Sequence, residues 1–262
     1  MVGVKPWDKT MEITDRQNLI LEKVIKEYID SAEPVSSGLL EKKYNFDISP
    51  AMIRIEMEKL TDTGYLFQPF VSSGRVPTDK GYRYFVDKLL NEKNLKVREP
   101  KELRDLLDKE GDDFWGFGQS FTKMLSEMSS IMAVVSFPEE DRVFKEGWEN
   151  IVRIPEFADR EAIYGLANFI SDFEDNIDEI FNEQQECDKT QAGITIYIGG
   201  EAPFGKKVKG FSIISSSCSF PKKKRGTISL IGPKRMAYEK NIGILSSFSE
   251  MMEELTNDGR RK

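Results

Sequence analysis

Arg54 and the run Ser72-Ser73-Gly74-Arg75 are the residues whose type and spacing suggest chemistry. Ser49-Pro50 pairs an N-cap serine with proline at the first helical position, where its missing N–H costs nothing. The helix that follows places Ile53, Met57 and Leu60 on one face and turns Ala51, Met52, Arg54, Ile55 and Glu58 toward the outside. A guanidinium in that position suits bidentate contact with guanine. Ser72, Ser73 and Gly74 can bring backbone amides close to a phosphate, with Arg75 read at the tip of their turn and Lys80 and Arg83 on the next helix. An ordinary surface arginine and a solvated hairpin fit the same residues. These segments alone do not separate the two readings.

Other chemistry is thinner. The 262 residues contain no histidine, which removes Ser-His-Asp triads, two-histidine zinc helices and histidine pH switches. Cys187 and Cys218 cannot close a four-cysteine zinc site and do not suggest a structural disulfide, so a reducing, cytoplasmic setting is expected. Gly116-Phe117-Gly118 lacks the third glycine and the preceding strand of a dinucleotide fingerprint. The carboxylates of residues 156–188 read as a solvated acidic helix, and nothing argues for catalysis, a metal or a cofactor. Pro221-Lys222-Lys223-Lys224-Arg225-Gly226 resembles a basic import patch, but its place between two strand-like runs favours a hairpin turn. The net charge of −7 gives no broad basic footprint, so any polyanion site must be local. Ile131 to Phe137, the longest apolar stretch, is too short for a bilayer, and Met1 to Asp8 lacks the apolar core of a signal peptide.

The elements that must position these residues are legible. Thr14 and Gln17 have capping-box form ahead of a helix over about 15–31, which Glu33-Pro34 breaks. A short helix starts at Ser36 or Ser37 and covers Leu39, Leu40 and Tyr44. Gly64 ends the Ser49-Pro50 helix in a left-handed conformation. Tyr65-Leu66-Phe67 and Phe70-Val71 read as two extended runs, and Thr78 or Asp79 caps a helix carrying Tyr82, Phe85, Val86, Leu89 and Leu90. Helix, helix, helix, hairpin, helix is the order of a winged helix-turn-helix. A charged stretch with Glu99-Pro100 then separates a domain over 1–95 from one over 100–262. In the latter the pattern predicts a helix over 114–130, strands over 131–137, 194–198, 211–215 and 227–231, a polar segment over 139–150, an acidic helix over 158–183 and a last helix over 241–255. That last helix aligns Ile242, Leu245, Met252 and Leu255. The fold class is α+β, with antiparallel connections in the second domain.

Ile13 to Leu90 resembles the N-terminal domain of the bacterial heat-inducible transcription repressor family HrcA. The resemblance rests on Glu33-Pro34-Val35, Ser49-Pro50-Ala51, Ile53-Arg54, Gly64-Tyr65-Leu66, Gln68-Pro69 and the long run from Ser72 to Arg83. Further on, Gly147 to Asp159, Ile198-Gly199-Gly200-Glu201 and Gly226 to Tyr238 are similar too. The resemblance implies a dimeric repressor with a winged-helix DNA-binding domain and a GAF-like regulatory domain. It also implies an inverted-repeat operator near chaperone genes and control by a GroE-type chaperonin. The implied DNA-facing residues are Ser36 and Ser37; Ser49, Ala51, Met52, Arg54 and Ile55; Ser72, Ser73, Gly74 and Arg75; and Thr78, Lys80 and Arg83.

The chain departs from the family twice. Strand 131–137 passes almost directly into Glu146-Gly147-Trp148, so the family's dimerising insertion is missing and the GAF-like domain is reduced. This leaves the apolar stripes of helices 114–130 and 241–255 as candidate interfaces. The family also tends to place polar residues where Met52, Ile55, Phe70 and Val71 stand, which implies altered base readout. The leading reading is a repressor of heat-shock genes. Its rivals are a small-molecule-sensing regulator and a protein-interaction module whose winged helix no longer reads DNA.

Overall fold

The structure is a computed structural model that describes residues 13–89, 103–106, 113–155, 160–177, 193–201, 210–220 and 224–258. It divides into two units, Met1–Leu90 and Asn91–Lys262.

The first unit begins with α1 (Asp15–Ser31). Its capping box forms as the sequence requires: the Gln17 amide donates to Thr14 Oγ1, and the Thr14 amide donates to Gln17 Oε1. Ser36 resolves the start of α2 (Ser37–Lys43) by accepting from the Leu39 amide. Ser49 caps α3 (Pro50–Asp62), with proline in the first turn. Gly64 (φ 77°) closes α3 in a Schellman arrangement: its amide reaches the Thr61 carbonyl and that of Tyr65 reaches the Leu60 carbonyl. Strands β1 (Leu66–Phe67) and β2 (Val76–Pro77) pair antiparallel, and Thr78 caps α4 (Asp79–Tyr84). One wide turn, Phe85–Leu89, follows. Ile20, Leu21, Val24, Ile25, Leu40, Ile53, Leu60 and Phe85 are almost completely buried.

Phe70-Val71 is not a strand. These residues lie in the turn between β1 and β2, where the Ser73 amide closes onto the Phe70 carbonyl. β2 is instead Val76–Pro77, because the four-residue polar run continues the loop rather than opening it.

The second unit is a five-stranded antiparallel sheet in the order β4-β3-β7-β6-β5. Its strands are β3 (Met132–Phe137), β4 (Arg142–Glu146), β5 (Ile194–Ile198), β6 (Phe211–Phe220) and β7 (Lys224–Pro233). One face carries α5 (Phe114–Ser129) and α8 (Tyr238–Asp258), joined by ring contacts such as Phe121–Phe220 and Phe121–Phe248. The opposite face packs Met132, Val134, Phe211, Ile213 and Ile231 against Leu166, Phe169, Ile170 and Phe173 of α7 (Arg160–Asp175), with Ile151 of the short α6 (Trp148–Val152).

Three sequence expectations change here. β4 lies within the stretch read as merely polar; as an edge strand it buries little, so it carries no apolar alternation. β6 runs five residues beyond Ser215, because its serines find partners: Ser215 with Ser229 at 2.7 Å and Ser216 with Ser249 at 2.9 Å. The stripes proposed as interfaces are occupied within the unit. Phe117, Phe121 and Leu125 of α5, and Ile242, Leu245, Phe248 and Met252 of α8, are all buried against the sheet. The acidic helix expected over 158–183 forms as α7, with 158–159 and 178–183 outside the described residues.

β6 and β7 form the hairpin expected around the basic run, with Phe220 paired to Lys224. Lys222, Lys223, Leu90 and Cys187 lie outside the described residues. No helix among the described residues is long and apolar enough to cross a membrane.

Candidate nucleic-acid interface

Seven of the sequence-derived residues meet around one cleft of about 470 Å³ in the first unit. Ser36 and Ser37 come from the start of α2, Arg54 from α3, and Ser72, Ser73, Gly74 and Arg75 from the β1–β2 loop. Val35, Met57, Gln68 and Val71 complete the lining. Two guanidinium groups and no carboxylate face this space. In a chain of net charge −7 that is a local inversion of sign.

The Arg54 side chain is exposed and makes no hydrogen bond or ion pair among the described residues. Ala51, Met52, Ile55 and Glu58 share its exposed side of α3, whereas Ile53, Met57 and Leu60 are buried, as the periodicity requires. Glu56 on the inner side has its charge answered locally. Burial alone would push its carboxyl up, but Lys59 and Gln17 outweigh this and hold it below the usual range. Ser49 is committed to its cap through the Met52 amide.

The loop is anchored at its base. The Arg75 amide donates to the Val35 carbonyl at 2.7 Å and the Val35 amide returns to Arg75 at 2.9 Å. Gly74 sits so close that an added Cβ would lie 2.4 Å from the Val35 carbonyl carbon and oxygen. Only glycine allows that approach. Arg75 is therefore at the root of the loop rather than its tip, and its Nε donates to Thr61 Oγ1 on α3 at 3.0 Å. The tip is Phe70, Val71 and Ser72.

The remaining candidates lie off the cleft. Thr78 Oγ1 donates to the Gly64 carbonyl and accepts from the Gly81 amide. Lys80 donates to the Thr63 carbonyl with its ammonium 4.2 Å from the centre of the Tyr65 ring. Arg83 pairs with Asp87. Gln68 is the residue whose role sequence reading missed. Its amide donates to the carbonyls of Val71 and Ser73 and shapes the loop from within.

Residues 82–242 match the family described as HrcA protein C terminal domain. The chain belongs to the HrcA family. The heat-inducible transcription repressor HrcA of Symbiobacterium thermophilum is 40% identical over 135 residues, covering 51% of this chain but 40% of that protein. The HrcA of Alkaliphilus metalliredigens is 42% identical over 130 residues, again only 38% of its own length. The matched stretch thus spans about two fifths of these relatives. The HrcA of Clostridium botulinum (strain Eklund 17B / Type B) aligns over 348 positions at 26% identity, covering 94% of this chain and 98% of that protein. Since this chain has 262 residues, that HrcA contains positions with no counterpart here. Among solved structures, the crystal structure of a hypothetical protein has a TM-score of 0.63 at 21% identity, over 92% of this chain and 97% of that one. That likeness shows the fold.

Proposed function

We propose that the chain is a sequence-specific DNA-binding repressor of heat-shock genes, with a winged-helix first unit and a reduced GAF-like regulatory second unit. The observation that carries the reading is the acid-free cleft with uncommitted Arg54 at its wall and the exposed side of α3 beside it. In this reading α3 enters the major groove by its N-terminal residues, and α2 crosses the backbone. Arg54 reads a base edge. Arg75, Ser36, Ser37, Ser72 and Ser73 take phosphate contacts, and Thr78, Lys80 and Arg83 are further DNA-facing candidates that lie off the cleft. Met52 and Ile55 offer only apolar contact, which suits a thymine methyl and not the bidentate readout of adenine.

An inverted-repeat operator calls for a two-fold dimer, because half-site symmetry mirrors protein symmetry. The HrcA resemblance further supplies a GroE-type chaperonin as the regulating partner. Selection from random-sequence DNA with the full chain tests the reading. Recovery of an inverted repeat supports it. Failure to enrich any sequence overturns it in favour of a protein-interaction module.

A further inference from the structure

The β1–β2 loop presents two large apolar side chains where a soluble surface normally avoids them. Phe70 is 74% exposed and Val71 is 96% exposed. The backbone beneath them is held tightly. The Phe70 amide donates to Ser73 Oγ, that hydroxyl donates back to the Phe70 carbonyl at 2.8 Å, and the Ser73 amide donates to the same carbonyl at 3.0 Å. Gln68 fixes the Val71 carbonyl at 2.9 Å, and Gly74 locks the root of the loop against Val35. The tip is thus a pre-ordered apolar point, so engaging it requires little loss of loop freedom.

Its neighbourhood names the occupant. Val71 is itself part of the lining of the cleft that holds Arg54 and Arg75 and no carboxylate. A partner lying on this surface must offer negative charge to the cleft and an apolar gap to the tip, about one loop's width apart. Duplex DNA does both: phosphates line its backbone, and base steps can be opened from the minor groove by an apolar wedge that kinks the duplex. An apolar protein surface would match the tip but leave the two arginines facing nothing.

We propose that Phe70, backed by Val71, inserts at a base step of the minor groove and bends the bound DNA. The proposal rests on the DNA-binding reading above and adds deformation to it. It also supplies a source of sequence preference at positions that no side chain reads, since pyrimidine–purine steps open most easily.

The test uses the full chain and the duplex recovered by random-sequence selection, with 2-aminopurine placed in turn along it and a donor–acceptor dye pair on its ends. Wild type should raise 2-aminopurine emission at one step per half-site and shorten the end-to-end distance. Combined Phe70→Ser and Val71→Ser substitution should remove both signals and weaken binding about tenfold, with an unchanged melting temperature because both side chains are exposed. Phe70→Trp should retain both signals. If wild type and the double variant hold the duplex with equal bend and equal emission, the wedge is wrong while DNA binding stands. If in addition the double variant loses repression in cells, the tip belongs to a protein partner, and the wedge is again wrong. If wild type selects no duplex, the DNA-binding reading falls and the wedge falls with it.

Discussion

Glu27 brings a carboxylate into the interior of the first unit, 4% exposed on the inner side of α1. Lys43 reaches both of its oxygens at 2.8 Å, and the Tyr44 hydroxyl donates to one at 2.5 Å, tying α1 to the end of α2. Burial alone would push the carboxyl up; Lys43 and Tyr44 outweigh it and hold Glu27 below the usual range. Burial, reinforced by that same carboxylate, pushes the Tyr44 hydroxyl up to about 12. The two shifts have opposite consequences. A lowered carboxyl contributes stability that is present above its unfolded value and lost as pH falls through its folded one. A raised phenol contributes stability that is present below about pH 10 and lost as pH rises toward 12. Melting temperature should therefore fall on both limbs, and Glu27→Gln should flatten both while costing about 1 kcal/mol at neutral pH. Parallel pH–melting curves for variant and wild type would remove the cluster from the account. At the interface, Arg54→Ala should cost about 1–3 kcal/mol and relax preference at one operator position. Arg75 differs because it also holds Thr61. Arg75→Ala should lower the salt slope by about one unit and also lower stability, whereas Arg75→Lys should keep the slope and lose only the Thr61 bond. Equal titrations of all these variants across salt concentrations would show that neither arginine meets DNA.

Elements that announce themselves by caps were legible, and those defined by partners were not. Thr14, Ser36, Ser49 and Thr78 each cap a helix through a local hydrogen bond, so neighbouring residues suffice to place them. β4 and the far half of β6 are held as strands by their hairpin partners β3 and β7, and their serines and charges carry no strand signal of their own. The cleft was half legible. Its residue types stood out, but the inward hold on Arg75 depends on Thr61, fourteen residues away on another element. Two elements carry predictions of opposite sign. Ser136 of β3 and Thr227 of β7 face each other across the sheet, each buried and each with a hydroxyl that makes no hydrogen bond. Thr227→Val keeps the shape, removes the unsatisfied group and suits a strand, so it should stabilise by about 1 kcal/mol, seen as a higher denaturation midpoint. Gly74→Ala drives a Cβ into the Val35 backbone, which cannot swing aside as a side chain would. It should destabilise by about 2 kcal/mol or more and weaken DNA binding by displacing the loop. A Gly74→Ala variant with wild-type midpoint and affinity would show that the anchor is slack.

At the scale of the whole molecule, the proposed two-fold dimer needs a surface. The stripes of α5 and α8 once eligible for that role are consumed in covering the sheet, with Phe121, Leu125, Leu245 and Phe248 all buried. The apolar surface left on the second unit lies outside those stripes. Trp115 is covered on one face by Arg142, whose guanidinium is 4.4 Å from the ring centre. Val152, Ile163 and Tyr164 remain exposed at 45%, 43% and 64%. Ile163 and Tyr164 sit on α7, the helix that also presents Leu166, Phe169 and Phe173 to the core, so a partner there would press directly on the element that seals the sheet. A two-fold contact through α7 would thus couple dimerisation to the packing of the second unit. The expected outcome is a dimer by light scattering, both free and on DNA. Ile163→Asp with Tyr164→Arg should yield a folded monomer that binds a single half-site and has lost most of its affinity for the full repeat, since the second half-site no longer arrives linked to the first. A wild-type chain that scatters as a monomer in both states would rule out the dimer. A double variant that stays dimeric would place the contact on another surface.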